Sequence, residues 1–289
     1  MTARTIDGKA ISAEVREDVA ERVRALAERD IQPGLAAVLV GDDPASKIYV
    51  ASKQKACADV GMHSERVDLP ADASQDDVIS AIDRLNADPR ISGMIVQLPV
   101  PEQVSESAVQ RAVAPEKDVD CLGPVNVGLM TRGEAMFLPA TPFGIVELLV
   151  RSGIEIQGQD VAIVGRGGLV GMPLAIMLAQ RSPRGNATVT LCHTKTRDVA
   201  AHTRGADIVV VATGVPKSLT ADMVKAGATV IDVGVNRLAD GKIAGDVDFA
   251  AVKEVAGAIT PVPGGVGPMT VAMLLVNTVT AAEAAAGLR

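Results

Sequence analysis

The segment DVAIVGRGGLVG (residues 160–171) sets the architecture expected for the second half of this chain. Its apolar run DVAIV predicts a buried strand, and three glycines, Gly165, Gly167 and Gly171, follow where a helix is expected to begin. Such a strand–turn–helix unit binds dinucleotides, because the first glycine permits a tight turn and the second lets backbone N–H groups approach a pyrophosphate. The spacing is one residue longer than the usual fingerprint, so a glycine turn that only closes a strand–helix unit remains the alternative.

Apolar runs alternate with longer amphipathic segments along the rest of the chain, which is typical of a parallel sheet covered by helices. The predicted strands are residues 35–40, 63–69, 93–99, 160–165, 187–193, 206–214 and 228–235. The predicted helices are residues 9–29, 45–60, 74–87 and 269–289, and Ser74 is a plausible cap of the third. The pattern predicts an α/β protein with two α/β domains, of which the second is Rossmann-like.

A proline-bracketed stretch, PATP (139–142), predicts the boundary between these domains. We expect a first domain of residues 1–140 and a Rossmann-like domain of residues 141–268. The C-terminal helix follows the last Rossmann strand, and we assign it to the first domain. The apolar segments at 207–212 and 228–235 leave room for pairing at a sheet edge, which is compatible with a homodimer.

Composition excludes several classes of protein. The 289-residue chain has a formal net charge of −7 and no block of Lys or Arg, which disfavours a nucleic-acid-binding protein. Three widely spaced cysteines, Cys57, Cys121 and Cys192, and three scattered histidines predict neither a disulfide framework nor a metal site. The first residues lack the apolar core of a signal peptide, and no apolar run reaches the roughly 18 residues of a membrane span. We therefore expect a soluble cytoplasmic protein with no membrane partner.

The end of the strand at 187–193 distinguishes NAD from NADP. NAD sites usually place an acidic residue there to bind the ribose 2′-hydroxyl, whereas this chain has no acid until Asp198. Hydroxyl and cationic side chains bind a 2′-phosphate instead; the candidates are Arg166, Thr194, Lys195 and Arg197. For Lys195 and Arg197 an ordinary solvated loop is an equally good explanation. The cofactor predicted from these residues is NADP.

Tyr49 and Lys53 lie four residues apart on the second predicted helix, so they share one face. Taken alone, an amphipathic tyrosine beside a solvated lysine is the commoner explanation of this pair. Asp118 and Asp120 follow Pro115, where turn capping is the simpler role, and we accept that role for Asp118.

Eight sequence blocks add the context that these residues lack. They are YVASKQK (49–55), IVQLPVP (95–101), PEKDVD (115–120), TPFGI (141–145), GRGGLVGMP (165–173), TVTLCHTKT (188–196), DVGVNR (232–237) and TPVPGGVGPMTVAML (260–274). In the order and content of these blocks, the chain resembles the tetrahydrofolate dehydrogenase/cyclohydrolase family. The resemblance implies a cleft between the two domains, a homodimer, and two reactions of one-carbon metabolism. These are NADP-dependent oxidation of 5,10-methylenetetrahydrofolate and hydrolysis of the methenyl product to 10-formyltetrahydrofolate.

The same resemblance implies roles for individual residues. Lys53 matches the catalytic lysine, Tyr49 the aromatic residue that packs on the pterin, Gln97 the glutamine that orients the lysine, and Asp120 the carboxylate that binds the pterin. The remaining folate-binding positions are Leu98, Pro263, Gly264 and Gly265, and the small size of the glycines is expected to permit close approach of the folate. The positions that touch NADP are Gly165, Arg166, Gly167, Thr194 and Val235. No metal is implied.

Four positions depart from the usual family pattern. Gly167 stands where many members have the serine of GRS, so a serine contact to the cofactor is missing. Thr194 replaces a serine and keeps its hydroxyl, and Ala140 replaces a cysteine. Cys121 occupies a glycine position beside Asp120, which matters if that position requires a positive φ.

Two other functions fit the sequence less well. One is a dehydrogenase without the hydrolytic step, with NAD as an alternative cofactor. The other is a non-catalytic folate- or NADPH-binding protein, which would have no need of a proton-transfer lysine. Hydrolysis requires proton transfer, and Lys53 is the strongest candidate for it.

Overall fold

A computed structural model describes residues 2–238 and 241–289 of the chain. The strands are β1 (Arg4–Thr5), β2 (Gly34–Val40), β3 (His63–Leu69), β4 (Gly93–Val96), β5 (Asp160–Val164), β6 (Thr188–Cys192), β7 (Ile208–Val211), β8 (Thr229–Asp232), β9 (Asn236–Arg237), β10 (Ile243–Ala244) and β11 (Ala258–Ile259). The α-helices are α1 (Gly8–Ala27), α2 (Pro44–Asp59), α3 (Gln75–Ala87), α4 (Glu106–Ala112), α5 (Pro124–Arg132), α6 (Ala140–Arg151), α7 (Gly171–Ala179), α8 (Val199–Thr203), α9 (Phe249–Val252) and α10 (Val266–Ala285). Short 3₁₀ turns occupy Pro115–Lys117 and Ala221–Met223.

The chain divides into two compact units. One, here the Lys53 unit, consists of Ala13–Ala140 and Val271–Arg289. The other, the Gly165 unit, consists of Thr141–Thr270 and the N-terminal segment through Ser12. The N-terminal segment joins the Gly165 unit because β1 pairs in parallel with β11, a pairing that the sequence pattern did not predict.

Within the described residues, the Gly165 unit contains a six-stranded sheet with the order β1-β11-β8-β7-β5-β6. Its neighbouring strands all run parallel. The apolar runs that predicted strands at 160–165, 187–193, 206–214 and 228–235 correspond to β5 to β8, which confirms the Rossmann-like α/β fold. The expectation that residues 207–212 and 228–235 provide a free sheet edge is wrong, because β7 and β8 are both flanked by other strands.

The Lys53 unit contains, in the described part of the chain, a three-stranded parallel sheet with β2 between β3 and β4. All seven residues of β2 are buried. The predicted cap of α3 is confirmed: the Ser74 side chain accepts a hydrogen bond from the Asp77 backbone, and the Asp77 side chain accepts one from the Ser74 backbone. Amphipathic spacing then buries Val78, Ile82 and Leu85 against the sheet.

Helix α10 begins three residues before its predicted start, inside the proline- and glycine-rich segment TPVPGGVGP (260–268). Pro268 is tolerated there because the first turn of a helix has no internal acceptor for its missing N–H. By length and composition this helix is apolar enough to cross a membrane, but 67% of its most apolar window is buried inside the protein. It is therefore packed as a core helix. Its Asn277 side chain donates to the carbonyl oxygens of Val119 (2.7 Å) and Leu138 (2.8 Å).

Candidate active site

Helix α2 carries Tyr49 and Lys53. It begins after Asp43, whose carboxylate accepts a hydrogen bond from the Ser46 backbone N–H at 2.7 Å, and Pro44 opens its first turn. Tyr49 is 46% exposed and Lys53, one turn later, is half-buried. The helix thus presents an aromatic ring to solvent beside an amine that is partly withdrawn from it.

Gln97 lies directly after β4, where its backbone N–H donates to the Val38 carbonyl at 2.9 Å. Its side-chain amide donates to the Leu98 carbonyl at 2.9 Å. That bond leaves the amide oxygen, Oε1, to accept a hydrogen bond from Lys53 Nζ at 3.1 Å. The structure therefore brings Lys53 and Gln97 together from elements 44 residues apart.

Asp118 and Asp120 belong to one turn but have different partners. The buried Asp118 carboxylate accepts hydrogen bonds from the backbone N–H groups of Leu122 (3.1 Å) and Gly123 (2.9 Å) and from Asn126 Nδ2 (3.0 Å). Its structural role in the turn is thereby confirmed. Asp120 is half-buried and, with Leu98, lines a cavity of about 20 Å³, enough for roughly one water molecule.

The residue that follows Asp120 has a positive φ. Cys121 has φ = +55° and is fully buried. A left-handed backbone conformation favours glycine, because a Cβ approaches the neighbouring carbonyl. The turn beside Asp120 is thus retained with a cysteine in a glycine-type conformation.

Electrostatics couple Lys53 to Asp120. Burial lowers the pKa of the Lys53 amine, and the negative charge of Asp120 opposes that shift. Burial also raises the pKa of the Asp120 carboxyl, and the positive charge of Lys53 opposes that shift in turn. Each group therefore stabilises the charged form of the other, while burial makes a neutral amine more accessible than it is for a solvated lysine.

The glycine turn after β5 shows which of its glycines the backbone requires. Gly165 has φ = +115°, and a Cβ there would overlap the carbonyl oxygen of Ala212. A Cβ at Gly171 would overlap the carbonyl of Gly165. By contrast, a Cβ at Gly167 would meet no atom within 4 Å. The first and last glycines are therefore needed for close packing, while Gly167 has room for a side chain.

The residues expected to bind a 2′-phosphate lie at the adjacent strand end. Val164 on β5 is in register with Cys192 on β6, and the Gly165 N–H donates to the Cys192 carbonyl at 2.9 Å. Arg166 and Thr194, which follow these residues, are both exposed. The first acid after β6, Asp198, accepts a hydrogen bond from the Ala201 N–H at 3.0 Å as the cap of α8. Its carboxylate caps α8 and is not the acid that an NAD site places at this strand end to bind the ribose 2′-hydroxyl. The chemistry of this strand end therefore fits NADP.

The loop Pro263–Gly265 belongs to the Gly165 unit. The backbone conformation and packing of the loop itself account for its two glycines. Gly264 has φ = +109°. A Cβ on Gly265 would lie 2.6 Å from the Pro261 carbonyl oxygen and 2.8 Å from the Thr260 side chain. The small size of these residues is therefore required by the loop's own packing.

Two buried carboxylates beside Val235 were missed by the sequence reasoning. Asp232 ends β8 and was quoted only as part of a family block, and Asp246 was not singled out. Asp246 accepts hydrogen bonds from two backbone N–H groups of the loop after β7, and Asp232 accepts one from the loop after β8. A polar residue at the end of an otherwise apolar strand was the available signal for Asp232, whereas nothing local marks Asp246.

Comparison with known proteins covers nearly the whole chain. Residues 6–120 match the family model of the tetrahydrofolate dehydrogenase/cyclohydrolase catalytic domain, and residues 139–286 match that of its NAD(P)-binding domain. The chain is 53% identical over 283 residues to "Bifunctional protein FolD" of Bordetella avium, covering 98% of each chain.

Two solved structures are similar throughout. The bifunctional FolD methylenetetrahydrofolate dehydrogenase/cyclohydrolase of Campylobacter jejuni aligns with a TM-score of 0.94 at 45% identity, covering 98% of this chain and 99% of the other. The Trypanosoma brucei methylenetetrahydrofolate dehydrogenase-cyclohydrolase, complexed with NADP cofactor and inhibitor, aligns with a TM-score of 0.94 at 39% identity over 99% of each chain.

Proposed function

The chain belongs to the tetrahydrofolate dehydrogenase/cyclohydrolase family, and we propose that Lys53, held by Gln97, is the proton-transfer group of its hydrolytic reaction. The protein is a bifunctional enzyme of one-carbon metabolism. It oxidises 5,10-methylenetetrahydrofolate to the methenyl form with NADP and hydrolyses the methenyl form to 10-formyltetrahydrofolate. The observation that carries the assignment of Lys53 is the 3.1 Å hydrogen bond from its amine to the Gln97 amide oxygen.

Water attack on the methenyl carbon requires a group that can accept and return a proton. An ordinary lysine is charged at neutral pH and cannot accept one. Burial of Lys53 lowers its pKa, and a cationic methenyl substrate would lower it further. Gln97 holds the amine in one position because its own amide is fixed by the Leu98 carbonyl.

The other side chains of the Lys53 unit supply substrate binding in this proposal. Asp120 accepts hydrogen bonds from the pterin, and Tyr49 offers its exposed ring for stacking. Leu98 lies beside Gln97 and supplies apolar contact. In the Gly165 unit, Pro263, Gly264 and Gly265 are the proposed folate-facing loop.

NADP is held in this proposal by the Gly165 unit. The turn at Gly165, Arg166 and Gly167 binds the pyrophosphate, Thr194 and Arg166 bind the 2′-phosphate, and Val235 contacts the nucleotide. When bound, NADP supplies the hydride acceptor. The residues of the chain orient the two reacting carbons.

We further assign the Lys53 unit to folate binding and the Gly165 unit to NADP binding. The enzyme acts as a cytoplasmic homodimer whose partners are small-molecule tetrahydrofolate derivatives, with no nucleic-acid or membrane partner. A homodimer cannot use β7 or β8 as a free edge, since other strands flank both. Sedimentation at micromolar concentration measures the oligomeric state directly.

The test of Lys53 is Lys53→Met, assayed separately for methylenetetrahydrofolate oxidation, methenyltetrahydrofolate hydrolysis and NADPH binding. We expect hydrolysis to fall by about 100-fold or more, with NADPH binding unchanged. Lys55→Met is the matched control, because Lys55 is exposed on the same helix and pairs with Asp59. Wild-type hydrolysis by Lys53→Met would remove Lys53 from the mechanism.

A further inference from the structure

Asp232 and Asp246 form a buried carboxylate pair in the Gly165 unit, with 2% and 0% of their surfaces exposed. Burying a carboxylate is unfavourable unless hydrogen bonds satisfy its oxygens. The groups that satisfy these two therefore show what the pair holds in place.

Asp246 joins two loops. Its Oδ2 accepts hydrogen bonds from the backbone N–H groups of Thr213 (2.6 Å) and Gly214 (2.9 Å), which follow β7. Its Oδ1 accepts one from Asn236 Nδ2 (2.8 Å), which follows β8. One side chain thus fixes the ends of two adjacent parallel strands relative to each other.

Asp232 fixes Asp246 in turn. Its Oδ1 accepts hydrogen bonds from the backbone N–H groups of Gly234 and Asp246, both at 2.9 Å, and its Oδ2 accepts one from Val247 at 3.0 Å. A Cβ on Gly234 would overlap the Asp246 carboxylate, and a Cβ on Gly245 would overlap that of Asp232. Both glycines are therefore required for the carboxylates to reach the backbone.

The loops held by this pair adjoin the glycine turn. The Ala212 carbonyl, one residue before Thr213, is the atom that a Cβ on Gly165 would strike. Val235, which is 53% exposed, lies between Gly234 and Asn236, so the two carboxylates restrain the backbone on both of its sides. In parallel α/β sheets, dinucleotides bind at these carboxyl ends of the strands.

We propose that Asp246, supported by Asp232, is a positioning residue for NADP. It fixes the backbone at Thr213–Gly214 and at Val235 in the conformation that the dinucleotide requires. This inference rests on the proposed NADP site of the Gly165 unit. Asp246 itself takes no part in the chemistry.

The experiment compares D246A and D246N with wild type. D246A removes the acceptor of two backbone N–H groups and one amide. In D246N the remaining oxygen can still accept from Thr213 and Gly214. Only the bond from Asn236 Nδ2 is lost, and that group keeps its second acceptor, the Ala244 carbonyl at 3.3 Å. We expect the Kd for NADPH, measured by direct titration, to rise at least 10-fold in D246A and no more than about 3-fold in D246N.

A positioning role also predicts a split between the two activities. The KM for NADP should follow the Kd in D246A, while hydrolysis of methenyltetrahydrofolate, assayed without NADP, should stay within twofold of wild type. E147A is the control for general damage, because Glu147 is buried in the same unit and pairs with Arg151 and Arg184. It should lower the melting temperature and leave the Kd unchanged.

An unchanged Kd in D246A, or an equal loss of both activities, would overturn the proposal. If D246A does not fold, N236A provides the test. It removes the Asn236 bonds to Asp246 and to the Ala244 carbonyl and leaves Thr213 and Gly214 bound to Asp246. It should raise the Kd about 3-fold, and an unchanged Kd would again overturn the proposal. Failure of wild type to catalyse either reaction would count against the proposed function, whereas the Kd comparison alone decides the role of Asp246.

Discussion

Gly167 departs from the family pattern, which predicts a serine at this position, and the structure predicts that Gly167→Ser will strengthen NADP binding. A Cβ at this position would meet no atom within 4 Å, and Gly167 is not among the glycines with a positive φ. A serine can therefore be accommodated without moving the backbone. Its hydroxyl would then be available to donate to a phosphate oxygen of the cofactor.

The size of the effect follows from the chemistry of that contact. A hydrogen bond to a charged group contributes about 1.5–3 kcal/mol, and each 1.4 kcal/mol is a tenfold change in affinity. Because Gly167 is exposed, we expect the lower end, which is about a tenfold decrease in the Kd for NADPH. Replacing a glycine also stabilises the fold by about 0.4–1 kcal/mol, since it restricts the unfolded chain.

Gly167→Ala separates these two effects. It restricts the unfolded chain as serine does but has no hydroxyl, so it should raise the melting temperature and leave the Kd near that of wild type. The Kd is measured by fluorescence titration with NADPH, and the stability by thermal unfolding without ligand. Equal affinities of the serine and alanine variants would refute the inferred hydroxyl contact. A lower melting temperature of both the serine and the alanine variants would refute the inference that position 167 has room for a side chain.

Three further predictions concern other parts of the molecule. Gln97→Ala should slow both reactions by up to about 100-fold, because Gln97 positions Lys53 and belongs to the proposed folate site. The melting temperature should change little, and a loss of activity explained by unfolding at the assay temperature would contradict this. Cys121→Gly should be at least as stable to denaturant as Cys121→Ala, because φ is +55° there. At an ordinary φ, glycine lowers the stability by about 0.5–1 kcal/mol relative to alanine. A clearly more stable alanine variant would rule out backbone strain at this position. Burial raises the pKa of Asp232 from 3.8 to about 6, so the folded form keeps a proton that the unfolded chain releases in this range. The contribution of Asp232 to the free energy of unfolding should therefore fall by up to about 3 kcal/mol as pH rises from about 4 to 6, and Asp232→Asn should lack this component of the denaturation profile.

Strands with clear apolar runs were predicted closely, and short elements were not. The run at 63–69 matches β3, and that at 35–40 lies within β2. Two-residue strands such as β1 and β11 show no periodicity that a sequence pattern can detect. The PATP stretch, predicted as the domain boundary, lies where α6 begins at Ala140, because a proline in the first turn does not interrupt a helix.

The individual site residues were predicted from the family blocks, and the structure adds local physical reasons for some of those residues. The glycines at 264 and 265 were expected to be small so that folate can approach, and the structure shows that the loop's own backbone requires them. Asp118 was separated from Asp120 correctly, since three hydrogen bonds tie it into the turn. Cys121 has a positive φ, the backbone conformation that glycine adopts most readily.

The amino-acid sequence by itself determined the α/β class and the glycine turn after β5. It also determined that no acidic residue lies between the start of β6 and Asp198. These features depend on residues that are close together in the chain, where backbone geometry and side-chain type act locally. Only the tertiary structure decided that Gln97 accepts a hydrogen bond from Lys53, that burial lowers the pKa of that lysine, and that Asp246 joins the loops after β7 and β8. Desolvation and contacts between distant segments arise only when the chain packs, so no local pattern specifies them.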